Sequence, residues 1–171
     1  ERSFSLGKLA QTTIAVTDPS TGVTEFTGSD ATYVLHRQAD GSYVSEEFGG
    51  LTIPLGVRPI GEKPKKVFEN PINKEAFTLA KGDVFVMASD GIREQLDSSG
   101  NIRLEKVKPI GELLADLAKS DNPFGESAES IRDGVLAYTM AHAGTAAQGD
   151  DISLVVIKKT DPVSPAMAKE N

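Results

Sequence analysis

The 171-residue sequence predicts an α+β fold, in which a layered β-sandwich has helices on its outside. Three observations support this prediction. The first part of the chain consists of β-branched, alternating segments, a continuous apolar run follows, and two amphipathic helical segments precede a last apolar strand. This order lacks the regular alternation of strands and helices that is typical of a doubly wound fold.

The first four strands are predicted from local residue pattern, with β-branched alternation in the first of them, and from the turns that separate them. Asp18-Pro19-Ser20-Thr21-Gly22 is a turn sequence, and Asp40-Gly41 is a hairpin signal. By local pattern alone these strands form an antiparallel meander. They are Gln11 to Thr17, Val23 to Thr27, Thr32 to Arg37 and Tyr43 to Glu46.

Glycine and proline punctuate residues 49 to 75, which predicts loops around short strands. Ala76 to Leu79 is a further candidate strand. Asp83 to Ser89 is the clearest buried strand, because its apolar side chains are continuous rather than alternating. The strand stops at Asp90-Gly91.

Helices are predicted after this strand. Gly91 to Leu96 can form a short helix, and Pro109 can open a second helix because its missing N–H would be unpaired there. A longer helix runs from Ser127 to about Ala143, where Gly144 is a natural stop. The last strand is predicted for Ile152 to Ile157. Residues 1–158 are predicted to form one domain, and residues 159–171 a flexible tail.

Composition excludes several classes of function. The chain has no cysteine, so disulfides, thiolate metal sites and cysteine nucleophiles are excluded. Its net charge of -7 comes with no basic patch of the kind that nucleic-acid binding requires. No apolar run approaches the roughly 20 residues of a membrane-spanning helix, and the N-terminus has no signal-peptide core. We therefore expect neither nucleic-acid binding nor membrane contact by this segment.

Two carboxylates lie at the edges of apolar strands. Asp90 ends the strand that starts at Asp83, and Asp150 precedes the last strand. If the two strands are neighbours, the carboxylates can converge, and converging carboxylates repel each other unless a cation lies between them. Hard oxygen ligands suit Mg²⁺ or Mn²⁺.

These residues carry a resemblance to a known family. The segment Gly82 to Ile92 resembles the central motif of metal-dependent serine/threonine protein phosphatases, the PPM superfamily, in which an apolar strand ends in Ser/Thr-Asp-Gly. The segment Gly149 to Ile157 resembles their closing Asp-Asp/Asn strand. Thr52 to Val57 contains a Pro-Leu-Gly loop like that of the bacterial sporulation stage II protein E branch. The resemblance covers roughly residues 8 to 158.

The resemblance implies an α-β-β-α layered phosphatase fold and hydrolysis of phosphoserine or phosphothreonine by metal-bound water. Asp90 and Asp150 would be ligands of a two-metal centre that holds Mn²⁺ or Mg²⁺, and Gly91 and Asp151 would support them. No side chain would act as a nucleophile. The implied setting is bacterial signalling in the cytoplasm, where this segment can be the domain of a larger sensor protein. The implied partner is a phosphorylated protein such as an anti-sigma-factor antagonist.

One departure from the family pattern concerns its first metal ligand. The family carries another aspartate, followed by glycine, on an N-terminal strand, and nothing before residue 8 matches that segment. We therefore expect the N-terminal strands of the fold to be missing and the 171-residue chain to be nearly inactive by itself. The sheet edge left open would be a place for a second copy to bind, as a homodimer.

Blander interpretations remain for each of these residues. Asp90 with Gly91 can be a strand-to-turn cap, and Asp150 with Asp151 can be a solvated turn. The chain as a whole can be a non-catalytic regulatory module that keeps the phosphatase scaffold. A third alternative is an unrelated β-rich domain in which the two aspartates are not on adjacent strands.

Overall fold

A computed structural model describes residues 13–28, 31–48 and 75–160 of the chain. The strands of this part are β1 (Thr13–Thr17), β2 (Val23–Gly28), β3 (Thr32–Arg37), β4 (Tyr43–Phe48), β5 (Glu75–Thr78), β6 (Val84–Ala88) and β7 (Leu154–Lys158). Its helices are α1 (Asp90–Arg93), α2 (Leu104–Val107), α3 (Ile110–Ala118) and α4 (Ala128–Ala143). The loops predicted for residues 49 to 75 lie outside the described residues except at Glu75, and the tail predicted for residues 159–171 lies outside them beyond residue 160.

The strands form two antiparallel sheets. The first sheet has the order β1-β2-β5, and the second has the order β4-β3-β6-β7. The prediction of a four-stranded meander is therefore wrong, because β2 and β3 belong to different sheets. β2 pairs with β5 and β3 pairs with β6, and such pairings between distant segments leave no trace in local residue alternation.

Strand β6 lies in the interior of the second sheet, with both of its faces covered. Val84 and Val86 belong to the core that packs under the helices, whereas Phe85 belongs to the core between the two sheets. All three side chains are fully buried. A strand covered on both faces has no polar face, and this explains the continuous apolar run from which the strand was predicted.

Phenylalanine rings join the two sheets. Phe26 of β2 and Phe77 of β5 lie on the first sheet, and Phe48 of β4 and Phe85 of β6 lie on the second. The ring centroids of Phe77 and Phe85 are 5.0 Å apart, and those of Phe26 and Phe48 are 5.4 Å apart. Aromatic pairs at these separations bury large apolar surfaces and are favourable in tilted or edge-on geometry.

The two longer helices begin where the sequence predicts, and α4 also ends there. α3 starts directly after Pro109 and buries an apolar stripe that includes Leu113 and Leu114. At the start of α4 the backbone N–H of Ser130 donates a 3.0 Å hydrogen bond to Ser127 Oγ, which caps the helix. At its end Gly144 has a φ of 55°. Helix α2 was not predicted, because four residues are too few to show a helical period.

The fold class predicted from the sequence is confirmed as two antiparallel sheets with flanking helices. α3 packs on β3 and β4, and α4 packs on β7, so both helices cover the second sheet. Among the residues that the structure describes, no helix combines the length and apolar character that crossing a membrane requires.

Candidate functional site

Strands β6 and β7 are direct neighbours, which is the condition on which the predicted site depends. Ala88 pairs with Leu154 at the end of β6 and the start of β7. Asp90 follows the end of β6 by two residues, and Asp150 precedes β7 by four. Both aspartates therefore lie next to the same end of the β6–β7 strand pair. The alternative in which they are not on adjacent strands is excluded.

Ser89 fastens these two chain segments to each other. Its backbone N–H donates to Ser153 O at 2.9 Å, and its hydroxyl donates to Asp151 O at 3.1 Å. The same hydroxyl oxygen accepts a hydrogen bond from Ser153 N at 2.9 Å. Sequence reasoning missed this role of Ser89, although a hydroxyl residue at a strand end is a usual source of such bonds.

Gly91 lies where the two segments approach most closely. A Cβ atom at this position would stand 2.4 Å from Asp151 O and 3.3 Å from Asp150 O. The first separation is impossible for a side-chain carbon, and the obstacle is backbone that cannot swing away. The lack of a side chain at residue 91 therefore lets the turn after Asp90 lie against the backbone of Asp150 and Asp151.

The two aspartates differ in their surroundings. Asp90 is partly buried and is the first residue of α1, where its carbonyl accepts from Glu94 N at 2.9 Å. Asp150 is exposed, and its Oδ1 accepts from Asp151 N at 2.7 Å. Neither side chain is sequestered from water, so both can present carboxylate oxygens to a cation at the protein surface.

A cavity of about 260 Å³ adjoins this end of the strand pair, and Gly91 and Asp150 are among its lining residues. It also contains an exposed ion pair, in which Arg103 Nη1 lies 2.9 Å from Glu94 Oε1. Glu94 is exposed. Arg103 therefore lines the same cavity as Asp150.

Gln95 connects α1 to the segment that leads into Asp150. This side chain is only 3% exposed, and its Nε2 donates to Leu96 O at 3.0 Å and to Ala147 O at 3.3 Å. Sequence reasoning missed Gln95. A glutamine in a polar stretch gives no signal that it will be buried by a loop some 50 residues away.

Two further aspartates have structural roles. Asp83 is buried, and it accepts hydrogen bonds from the N–H groups of Arg37 and Ala80. Hydrogen bonds from the Ser99 hydroxyl and the Ile102 amide lower the pKa of Asp97, which closes a turn. Within residues 13–28, 31–48 and 75–160, no three His, Asp or Glu side chains are grouped so that they could hold a metal ion.

The family model of stage II sporulation protein E matches residues 1–160 of this chain. Among curated protein sequences, none matches significantly.

Solved phosphatase domains share the fold. The SiaA-PP2C domain of Pseudomonas aeruginosa aligns with a TM-score of 0.65 and 18% identity, over 92% of this chain and 54% of its own. The RsbU and RsbW domains of Rv1364c from Mycobacterium tuberculosis align with a TM-score of 0.63 and 16% identity, over 90% of this chain and 38% of their own. The phosphatase domain of SpoIIE from Bacillus subtilis aligns with a TM-score of 0.55 and 15% identity, over 96% of this chain and 62% of its own.

These structural likenesses establish a common fold, since the identities are too low to establish more. The chain spans between 38% and 62% of the length of these three structures. Together with the sequence match over residues 1–160, the shared architecture of two sheets and flanking helices identifies the family. The chain belongs to the stage II sporulation protein E family, whose fold is that of PP2C-type phosphatase domains.

Proposed function

We propose that this chain is part of a metal-dependent protein phosphatase domain that acts on phosphoserine or phosphothreonine. The observation that carries the proposal is the pairing of β6 with β7, which brings Asp90 and Asp150 to the same end of the two strands. The hydrogen bonds of Ser89 and the close approach at Gly91 fix the two segments there. Membership of a family with the phosphatase fold supports the interpretation of these two aspartates as metal ligands.

The donor set fits Mg²⁺ or Mn²⁺. Asp90 and Asp150 offer carboxylate oxygens on backbone that is held by strand pairing, and the chain has no cysteine that would favour a softer metal. When bound, two such cations supply Lewis-acid activation of water and stabilise the charge that develops on the phosphoryl group.

The residues of this chain have supporting tasks in that proposal. Asp90 and Asp150 would hold a cation, and Gly91 keeps the turn after Asp90 close to the Asp150 backbone. Asp151 contributes through its carbonyl, which accepts the hydrogen bond from Ser89 Oγ at 3.1 Å. None of these groups attacks phosphorus, which agrees with a site built from carboxylates and backbone rather than from a nucleophile and a base.

We further propose that the substrate is a phosphorylated regulatory protein of the anti-sigma-factor-antagonist class in bacterial signalling. The support is the family match and the fold shared with a protein in which an RsbU domain is joined to an RsbW domain. A panel of phosphorylated antagonists incubated with the intact parent protein tests this assignment. If none loses its phosphate while other phosphoproteins do, the substrate class is wrong.

Calorimetric titration with Mn²⁺ tests the metal site. We expect the chain to bind one cation weakly, and the Asp90→Asn/Asp150→Asn variant to bind none, because amides lack the charge that holds a hard cation. The double variant Glu129→Gln/Asp133→Asn is a matched control, since it removes two exposed carboxylates from α4 and should bind like the wild type. Equal binding by all three proteins would show that Asp90 and Asp150 form no site, and would favour the regulatory module.

We expect the 171-residue chain by itself to have almost no Mn²⁺-dependent phosphatase activity. Two carboxylates can hold one cation with water completing its shell, but a bridged pair of cations needs more anionic ligands to offset the repulsion between the metals. Turnover of a phosphopeptide by this chain, measured by phosphate release with increasing Mn²⁺, checks the expectation. Robust turnover would mean that residues of this chain complete the centre.

A further inference from the structure

A second cavity, of about 770 Å³, lies at the opposite end of the same two strands. Gly82, just before β6, and Lys158, the last residue of β7, line it. Val84 pairs with Lys158 at this end, whereas Ala88 pairs with Leu154 at the end near the aspartates. Four residues of extended strand separate the two ends by about 14 Å, so the cavity is distinct from the candidate metal site.

The walls of this cavity come from distant chain segments that hydrogen bonds hold in place. Gly82 N donates to Lys159 O at 2.8 Å, which joins the loop before β6 to the end of β7. Tyr43 Oη donates to Gly82 O at 3.0 Å, which joins that loop to β4. Lys158 Nζ donates to Gly125 O at 2.6 Å, which joins β7 to the loop between α3 and α4. The cavity is therefore preformed.

Positive charge is concentrated here, although the chain as a whole carries a net charge of -7. The residues that line it include four cationic and two acidic ones, an excess of two positive charges, and one of the four, Lys159, donates from its ammonium to Pro19 O at 2.5 Å. The six residues are Arg37, Lys81, Lys158, Lys159, Asp121 and Glu126. Such a local excess on an acidic protein is a field that attracts anions.

Two of these cationic residues, Arg37 and Lys158, repel each other. The pKa of Lys158 is lowered, first by burial and then by the positive charge of Arg37, while Glu126 acts in the opposite direction. In the part of the chain that the structure describes, no carboxylate lies within ion-pair distance of the Arg37 guanidinium. Like charges held together in a cavity are unfavourable, and a bound anion would relieve their repulsion.

Gly82 allows Arg37 to take its place in this wall. Its φ is 89°, and a Cβ atom there would stand 2.6 Å from Arg37 Cδ. The stem of the arginine thus lies directly over the glycine backbone. A side chain at residue 82 would therefore displace the Arg37 side chain from this position.

We propose that this cavity binds a small phosphate-bearing ligand. A guanidinium presents parallel N–H donors that match phosphate oxygens, and Lys158 adds a second charge. Ser120 also lines the cavity, and its hydroxyl can donate a hydrogen bond. Its concave shape and volume fall within the range of small-molecule sites, about 300–1,000 Å³, and favour a small ligand over a protein segment.

Titration of the 171-residue chain with inorganic pyrophosphate tests this inference, by calorimetry at low salt with a chelator present. We expect saturable binding at one site, and at least tenfold weaker binding by Arg37→Gln. Arg132→Gln is a matched control, because this exposed arginine on α4 lies outside the cavity, and its affinity should stay within twofold. Backbone amide NMR spectra verify that each variant is folded and should show shifts at Gly82 and Lys158.

Two further arms separate the explanations. The Asp90→Asn/Asp150→Asn variant should bind pyrophosphate like the wild type, which makes the outcome independent of the proposed phosphatase site. Competition with orthophosphate and with a nucleoside monophosphate distinguishes an inorganic anion from a phosphate ester. No saturation by millimolar pyrophosphate, equal weakening in Arg37→Gln and Arg132→Gln, or displacement by an acidic peptide alone would overturn the proposal.

Discussion

Replacement of Phe85 by alanine is expected to destabilise the fold by about 3 to 5 kcal/mol, the range seen when a buried phenylalanine is truncated. Phe85 is fully buried between the two sheets, and its ring centroid lies 5.0 Å from that of Phe77 and 6.2 Å from that of Phe26. The void would open where the sheets meet and where no helix can move in to fill it. Since domains of this kind are stable by about 5 to 15 kcal/mol, the loss is a large share of the total.

Urea unfolding followed by circular dichroism measures this loss. Met140→Ala is the control, because this side chain is 64% exposed on α4 and its truncation should cost well under 1 kcal/mol. If Phe85→Ala is too unstable to give a native baseline, Phe85→Leu keeps most of the volume and should show a smaller loss in the same direction. A loss below about 1 kcal/mol for the alanine variant would mean that the sheets are not joined through this ring.

Local sequence patterns predicted the elements of this fold more successfully than their arrangement. Strand β6 was identifiable because both of its faces are buried, and helix α4 because Ser127 and Gly144 mark its ends. The assignment of β1–β2 and β3–β4 to different sheets was not predictable. The choice depends on pairing with β5 and β6, which lie far along the chain.

The candidate site shows the same division. Asp90 and Asp150 stood out because each follows or precedes an apolar run, and the pairing of β6 with β7 confirms that their segments are adjacent. Their role as metal ligands stays a prediction. The residues that fix the site, Ser89 and Gln95, act through hydrogen bonds to backbone more than 50 residues away. Contacts of this kind become visible only when the chain is folded.

Gly91→Ala is the substitution expected to damage the candidate metal site most without removing a carboxylate. The added Cβ would stand 2.4 Å from Asp151 O, so the turn after Asp90 and the segment before β7 must move apart. Overpacking against rigid backbone costs about 1 to 3 kcal/mol in typical cases, and we expect a loss of stability of that size. Separation of the two aspartates should also weaken Mn²⁺ binding, at least about tenfold, which corresponds to roughly 1.4 kcal/mol.

Gly149→Ala is the matched control, because it makes the same chemical change beside Asp150. A Cβ at residue 149 meets nothing within 4 Å, and Gly149 is not among the glycines with positive φ. We expect its stability and Mn²⁺ binding to stay close to those of the wild type.

Urea unfolding tests the steric part of the prediction, and calorimetry tests the metal part. If Gly91→Ala loses stability while no protein binds Mn²⁺, the close approach is real and the metal site is not. If Gly91→Ala equals Gly149→Ala in both measurements, the two segments are not held against each other as Ser89 and Gly91 indicate.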